Sequence, residues 1–95
     1  MNKKEIEKII VTAAEETHTK LAAAIQKTGR ETRLFGRDAI LDSLALVALI
    51  AAVETGLREH CEQDILLVNE DAMSRRHSPF RSVGALCDYI QEMLG

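Results

Sequence analysis

A run of ten apolar residues, Leu44 to Val53, leaves the chain few ways to fold. It is too short to cross a bilayer, which takes about 20 apolar residues in a helix. Asp42 and Ser43 stand immediately before it, and both are residues that favour a helix start. The run therefore reads as a helix beginning at Asp42-Ser43 and ending at about Arg58. Leu46, Leu49, Ile50, Val53 and Leu57 fall on one stripe at helical spacing, which is enough to fill a core. The opposite side carries Leu44, Ala45, Val47, Ala48 and Ala51, where a surface helix would be charged. Only Glu54, Arg58 and Glu59 relieve it, near the C-terminal end. A helix apolar all round is either enclosed or keeps a face for a partner. A chain of 95 residues makes one small domain with much of its surface exposed, which favours the partner face. A central helix wrapped by the others is the alternative.

The rest of the chain also patterns as helix. From Asn2 to about Lys27, Ile6, Ile10, Ala13, Thr17, Leu21 and Ala24 recur at three- and four-residue steps. Asn2 with Glu5 three residues on suits the start, and Gly29 suits the stop. Two threonines weaken the helix at Thr17-His18-Thr19, which leaves room for a break in an otherwise continuous pattern. Arg30 to Asp42 reads as a connection whose Leu34, Phe35, Ile40 and Leu41 pin it to the core. Ile65 to Val68 reads as a short extended stretch with no second strand to pair with. Asn69 suits the cap of a stub helix, Glu70 to Ser74. The last helix begins near Ser78-Pro79 or at Ser82 and ends at Leu94, with Val83, Leu86, Ile90 and Leu94 on one face. The expected fold is an all-α, four-helix bundle with a short third helix and a long loop between helices 1 and 2, in one domain over residues 1–95.

Composition narrows the function classes. There is no Trp, and the only aromatics are Phe35, Phe80 and Tyr89, so an aliphatic core is expected. A net charge of −3 argues against nucleic acid, whose phosphates need a basic surface. The one dense basic cluster, Arg75-Arg76-His77, reads as a solvated loop. No stretch joins a charged segment to an apolar one in the manner of a secretory signal, so a cytoplasmic, monomeric protein is expected, with no membrane insertion. Cys61 and Cys87 lack CxxC spacing and read as reduced thiols, Cys87 buried on a helical face. Nothing in the spacing of His18, His60, His77 and the cysteines suggests a metal site.

Ser43 is the candidate for chemistry. Either Asp42 or Ser43 suffices to cap the helix. A hydroxyl at a helix start is also exposed, beside free N–H groups that stabilise a phosphate. It does not read as a hydrolytic nucleophile, because no G-x-S-x-G elbow surrounds it and no histidine is placed by sequence as its base. Modification by a separate enzyme remains open to it, so no catalytic residue is assigned and the chain is not expected to be an enzyme.

The stretch Leu34-Phe35-Gly36-Arg37-Asp38-Ala39-Ile40-Leu41-Asp42-Ser43-Leu44 resembles the attachment region of the acyl carrier protein family. Val83-Gly84-Ala85-Leu86-Cys87-Asp88-Tyr89-Ile90 resembles that family's last helix, so the resemblance covers nearly the whole chain. It implies a four-helix carrier fold and a 4′-phosphopantetheine arm on Ser43, transferred from coenzyme A by a separate phosphopantetheinyl transferase using Mg²⁺. Asp42 matches the acidic neighbour of the family's serine, and Leu44 its first recognition residue. The arm's thiol would hold acyl or aminoacyl groups as thioesters, handed between a loading ligase and downstream synthases or transferases. Typical members are strongly acidic along the helix that follows the serine, whereas this chain has Ala45, Ala48 and Ala51. That departure points away from the housekeeping fatty-acid carrier and toward a specialised carrier for a secondary pathway or an amino-acid-loading system. Fatty-acyl, polyketide and aminoacyl cargo are all left open, with docking through Leu44, Val47, Ala48 and Ala51. Asp42, Glu54 and Glu59 are the remaining candidate ionic anchors. Loaded chains are expected to shelter among Leu46, Ile50, Val53, Met73 and Leu86. The alternative is a cofactor-free helical adaptor docking through the same helix.

Overall fold

A computed structural model describes residues 2–36, 39–62, 65–74 and 78–94, without the side chains of Asp71 and Met73. Its α-helices are α1 (Lys3–Thr17), α2 (Thr19–Thr28), α3 (Ser43–Cys61), α4 (Glu70–Ser74) and α5 (Val83–Leu94), with a 3-10 turn at Gly29–Glu31. No strand forms among the described residues; Arg33 and Ser82 make one isolated antiparallel bridge. The result is an all-helical bundle of four helices, if the broken first helix is counted once.

The first helical segment is not continuous: it breaks at His18, between the two threonines that weaken it. Thr17 Oγ1 donates back to Ala13 O at 2.8 Å, a bond that competes with the helix ladder. His18 turns extended (φ −158°, ψ 94°) and serves both helices: its N–H closes α1 on Ala14 O, and its Nδ1 accepts from Leu21 N. The change of direction is large. An unbroken helix from Lys3 to Arg30 would be about 42 Å long, yet the longest extent of the molecule is 31 Å. Both ends instead meet at one carboxylate, Asp88, which lies 3.3 Å from Lys3 Nζ and 2.8 Å from Arg30 Nη2. α2 therefore folds back along α1. The reversal resets the helical phase, so Thr17 is exposed and the buried residues beyond it are Leu21, Ala22 and Ile25. Gly29 ends α2 at φ +54°, a conformation that favours glycine.

α1 and α3 pack antiparallel. Glu5 faces His60, and Ile9 faces Gly56 so closely that a Cβ there would stand 2.9 Å from Ile9 Cγ2. Asn2 caps α1 through Glu5 N, Asn69 caps α4 through Ala72 N, and Ser82 rather than Ser78 caps α5 through Ala85 N. The core joins Ile6, Ile10, Leu21, Leu34, Leu49, Val53, Leu57, Leu67, Val83, Leu86 and Ile90, all fully buried. It is not purely aliphatic: Phe80 and Tyr89 are buried edge-to-face, ring centroids 6.1 Å apart. The connection after Arg30 is pinned by Leu34 and Leu41, while Phe35 and Ile40 stand exposed. Its backbone is tied to the approach to α5 by Leu34 N to Arg81 O and Val83 N to Thr32 O, each 3.0 Å.

Candidate functional site

Asp42 and Ser43 divide the work at the start of α3. Asp42 is the N-cap, extended at φ −86° and ψ 180°, and its Oδ1 accepts from Ala45 N at 2.8 Å. Its carbonyl accepts Leu46 N, the first bond of the helix. Ser43 is thereby relieved of capping. It is the first residue of α3, exposed, and its hydroxyl bonds to none of the described residues. Leu41, buried on one side, anchors the approach, and Leu44 on the other is 80% exposed.

Among the described residues, no histidine stands at Ser43. His60 lies near the far end of α3, about 25 Å away along the helix, where its Nε2 is 3.6 Å from Glu5 Oε2. His18 uses Nδ1 at the α2 cap. His77, with Arg75 and Arg76, lies outside the described residues. No group of three or more metal-ligating side chains gathers among the described residues. Among the described residues, no side chain hydrogen-bonds the Ser43 hydroxyl, which is open to a group brought from outside.

Beyond Ser43, α3 has two faces. Leu46, Leu49, Ile50, Val53 and Leu57 are buried, as their spacing predicts. Leu44, Val47, Ala48 and Ala51 are exposed, Val47 at 63%, and Ala45 is half-buried against the core. The apolar excess of this helix is thus an open surface.

Glu54, a candidate ionic anchor, also makes a contact within the chain. One carboxylate oxygen accepts Leu67 N at 2.7 Å. Leu67 is fully buried, and its carbonyl accepts the Tyr89 hydroxyl at 3.0 Å. Asn69 Nδ2 donates to that same hydroxyl at 3.1 Å and to Leu66 O at 2.9 Å. The stretch read as a lone extended segment is therefore a strap held from both sides, with Leu66 (64%) and Val68 (46%) exposed. Sequence reasoning missed this, since a Glu at the polar end of an apolar helix gives no sign of which backbone it meets.

The residues expected to shelter a loaded chain, Leu46, Ile50, Val53 and Leu86, are packed in the core; Met73's side chain lies outside the described set. An open groove lies elsewhere, between α1 and α3, lined by Ile9, Thr12, Ala52 and Gly56 among others. Cys87 is buried with Sγ 3.5 Å from Lys3 O, and burial pushes its thiol pKa up; Cys61 is half-buried. The hydrogen bond from Arg30 holds the Asp88 carboxyl below its ordinary range. No described helix is long and apolar enough to cross a membrane. No protein-family model, curated protein or solved structure matches the chain.

Proposed function

We propose that this chain is a carrier protein bearing a 4′-phosphopantetheine arm on Ser43. The observation that carries the reading is the division of labour at the start of α3: Asp42 caps the helix and leaves the Ser43 hydroxyl exposed and uncommitted. That position fits a phosphodiester, because unpaired N–H groups and the positive end of the helix dipole favour an anion there. Ser43 would hold the arm, and Asp42 would keep the first turn of α3 formed beneath it. The arm, when attached, supplies a thiol that carries acyl or aminoacyl groups as thioesters. Tethering raises the local concentration of such a cargo at each enzyme visited.

Leu44, Val47, Ala48 and Ala51 are the surface for the transferase that loads the arm and for the ligase and synthases that use it. Their exposure supports docking by apolar burial, which salt screens far less than ionic attraction. The cargo belongs to a specialised fatty-acyl, polyketide or aminoacyl pathway, and the protein works as a cytoplasmic monomer and not as an enzyme.

The deciding experiment is intact mass after treatment with coenzyme A, Mg²⁺ and a broad-specificity phosphopantetheinyl transferase. One phosphopantetheine should be gained, mapped to Ser43 and absent from Ser43→Ala. The rate should fall only mildly between low and physiological salt, and Val47→Asp should slow it markedly by bringing an unpaired charge into the contact. The open apolar face is equally what a cofactor-free adaptor would present. An unmodified wild-type protein would leave that second reading standing in place of the first.

A further inference from the structure

The apolar face of α3 does not stop where the helix turns polar. Val47, Ala51 and Glu54 follow one another at steps of four and three, so they lie on a single stripe about 10 Å long. Glu54 ends the stripe, and its carboxylate meets the strap at Leu67 N. Leu67 points into the core, and its neighbours Leu66 and Val68 stand outward. We infer that Glu54 is a positioning residue: its carboxylate clamps the strap at Leu67 so that Leu66 and Val68 continue the α3 stripe as one docking surface.

Three observations support this. The clamp is two-sided, since Tyr89 Oη donates to Leu67 O while Glu54 accepts from Leu67 N. The same hydroxyl receives Asn69, whose Oδ1 caps α4, so the stub helix hangs from the clamp as well. α4 is anchored in turn, with Ala72 buried in the core, so the chain leaving the strap is fixed as well.

The occupant follows from charge and area. Leu44, Val47, Ala48, Ala51, Leu66 and Val68 carry no charge, and the one acid at their junction has an oxygen committed within the chain. The matching surface is therefore mainly apolar. The four large side chains expose roughly 400 Å², well below the roughly 800 Å² per partner of a stable interface. A standing dimer of this chain is too weakly supported by that area. The occupant is a partner protein that docks transiently through an apolar face, and on the function proposed above the first such partner is the transferase that modifies Ser43.

The test compares Glu54→Gln and Glu54→Ala. Glutamine keeps an oxygen that accepts Leu67 N and removes the charge; alanine removes both. The first readout is hydrogen exchange at the Leu67 amide in the unmodified protein. It should stay protected in wild type and Glu54→Gln, and exchange at least tenfold faster in Glu54→Ala, with thermal melting confirming that each variant folds. The second is steady-state modification of Ser43. Glu54→Gln should match wild type within about twofold, while Glu54→Ala and Leu66→Asp should raise KM at least fivefold with kcat little changed. A Glu54→Gln variant as impaired as Glu54→Ala would show that the charge itself meets the partner, and would overturn the inference. So would full protection of Leu67 in Glu54→Ala, or a dimer at working concentration that Leu66→Asp dissociates. If wild type is not modified at all, the carrier reading falls together with the docking half of the inference, and the Leu67 amide still decides the clamp.

Discussion

Tyr89→Phe removes one oxygen atom from the interior and little else. The ring is 2% exposed and lies edge-to-face on Phe80, a contact that phenylalanine retains. What goes is the hydroxyl that donates to Leu67 O at 3.0 Å and accepts Asn69 Nδ2 at 3.1 Å. Asn69 keeps its bond to Leu66 O, so that side loses little. Leu67 O loses its donor inside the fold. A net hydrogen bond is worth about 1 kcal/mol, and an unsatisfied buried acceptor adds about 1 kcal/mol or more. The expected loss is therefore about 2 kcal/mol, or roughly 10 °C in Tm for a domain of this size. Urea unfolding should show a lower midpoint with an unchanged slope, since the surface exposed on unfolding is the same. The Leu67 and Ala72 amides should lose protection before those of α1 and α3. A loss below about 0.5 kcal/mol, or one spread evenly over all helices, would refute the claim that this hydroxyl fastens the strap.

Asp42→Ala removes the N-cap of α3 and should lower stability by about 1 kcal/mol in urea titration. Ser43→Ala, whose hydroxyl bonds to none of the described residues, should leave the same curve within about 0.5 kcal/mol. Asp88 has its folded-state pKa depressed by Arg30, so its contribution is present above the ordinary carboxylate pKa and is lost as pH falls through the lowered one. Both partners are substantially exposed, which limits the effect to roughly 0.5 kcal/mol; Asp88→Asn should flatten the acid limb of a stability–pH profile by about that much. Burial and a raised pKa should make Cys87 unreactive in the folded protein, so a thiol reagent at neutral pH should label Cys61 first and Cys87 only on unfolding.

Local chemistry and periodicity made much of this protein legible in its residues. Asn2, Asp42, Asn69 and Ser82 cap helices because a short polar side chain reaches an N–H three residues on, a relation contained within four residues of chain. The stripe from Leu46 to Leu57 is buried because a 3.6-residue period puts those side chains on one side. The weak point at His18 was visible for the same local reason. Direction was not. Whether the chain kinks or reverses there depends on Leu21, Ala22 and Ile25 finding burial in a core built from distant segments, and no local pattern encodes that meeting. The exposure of Phe35 and Ile40, against the burial of Leu34 and Leu41 in the same connection, was likewise set by which side of an irregular segment faces the core. At the candidate site, Ser43 could be picked out by type and place, but its release from capping required knowing that Asp42 takes the Ala45 N–H. Glu54 is the clearest case. Its position on α3 was readable from period alone, while its role depends on a backbone N–H 13 residues away being carried to 2.7 Å by the burial of Leu67, a long-range contact that only tertiary packing creates.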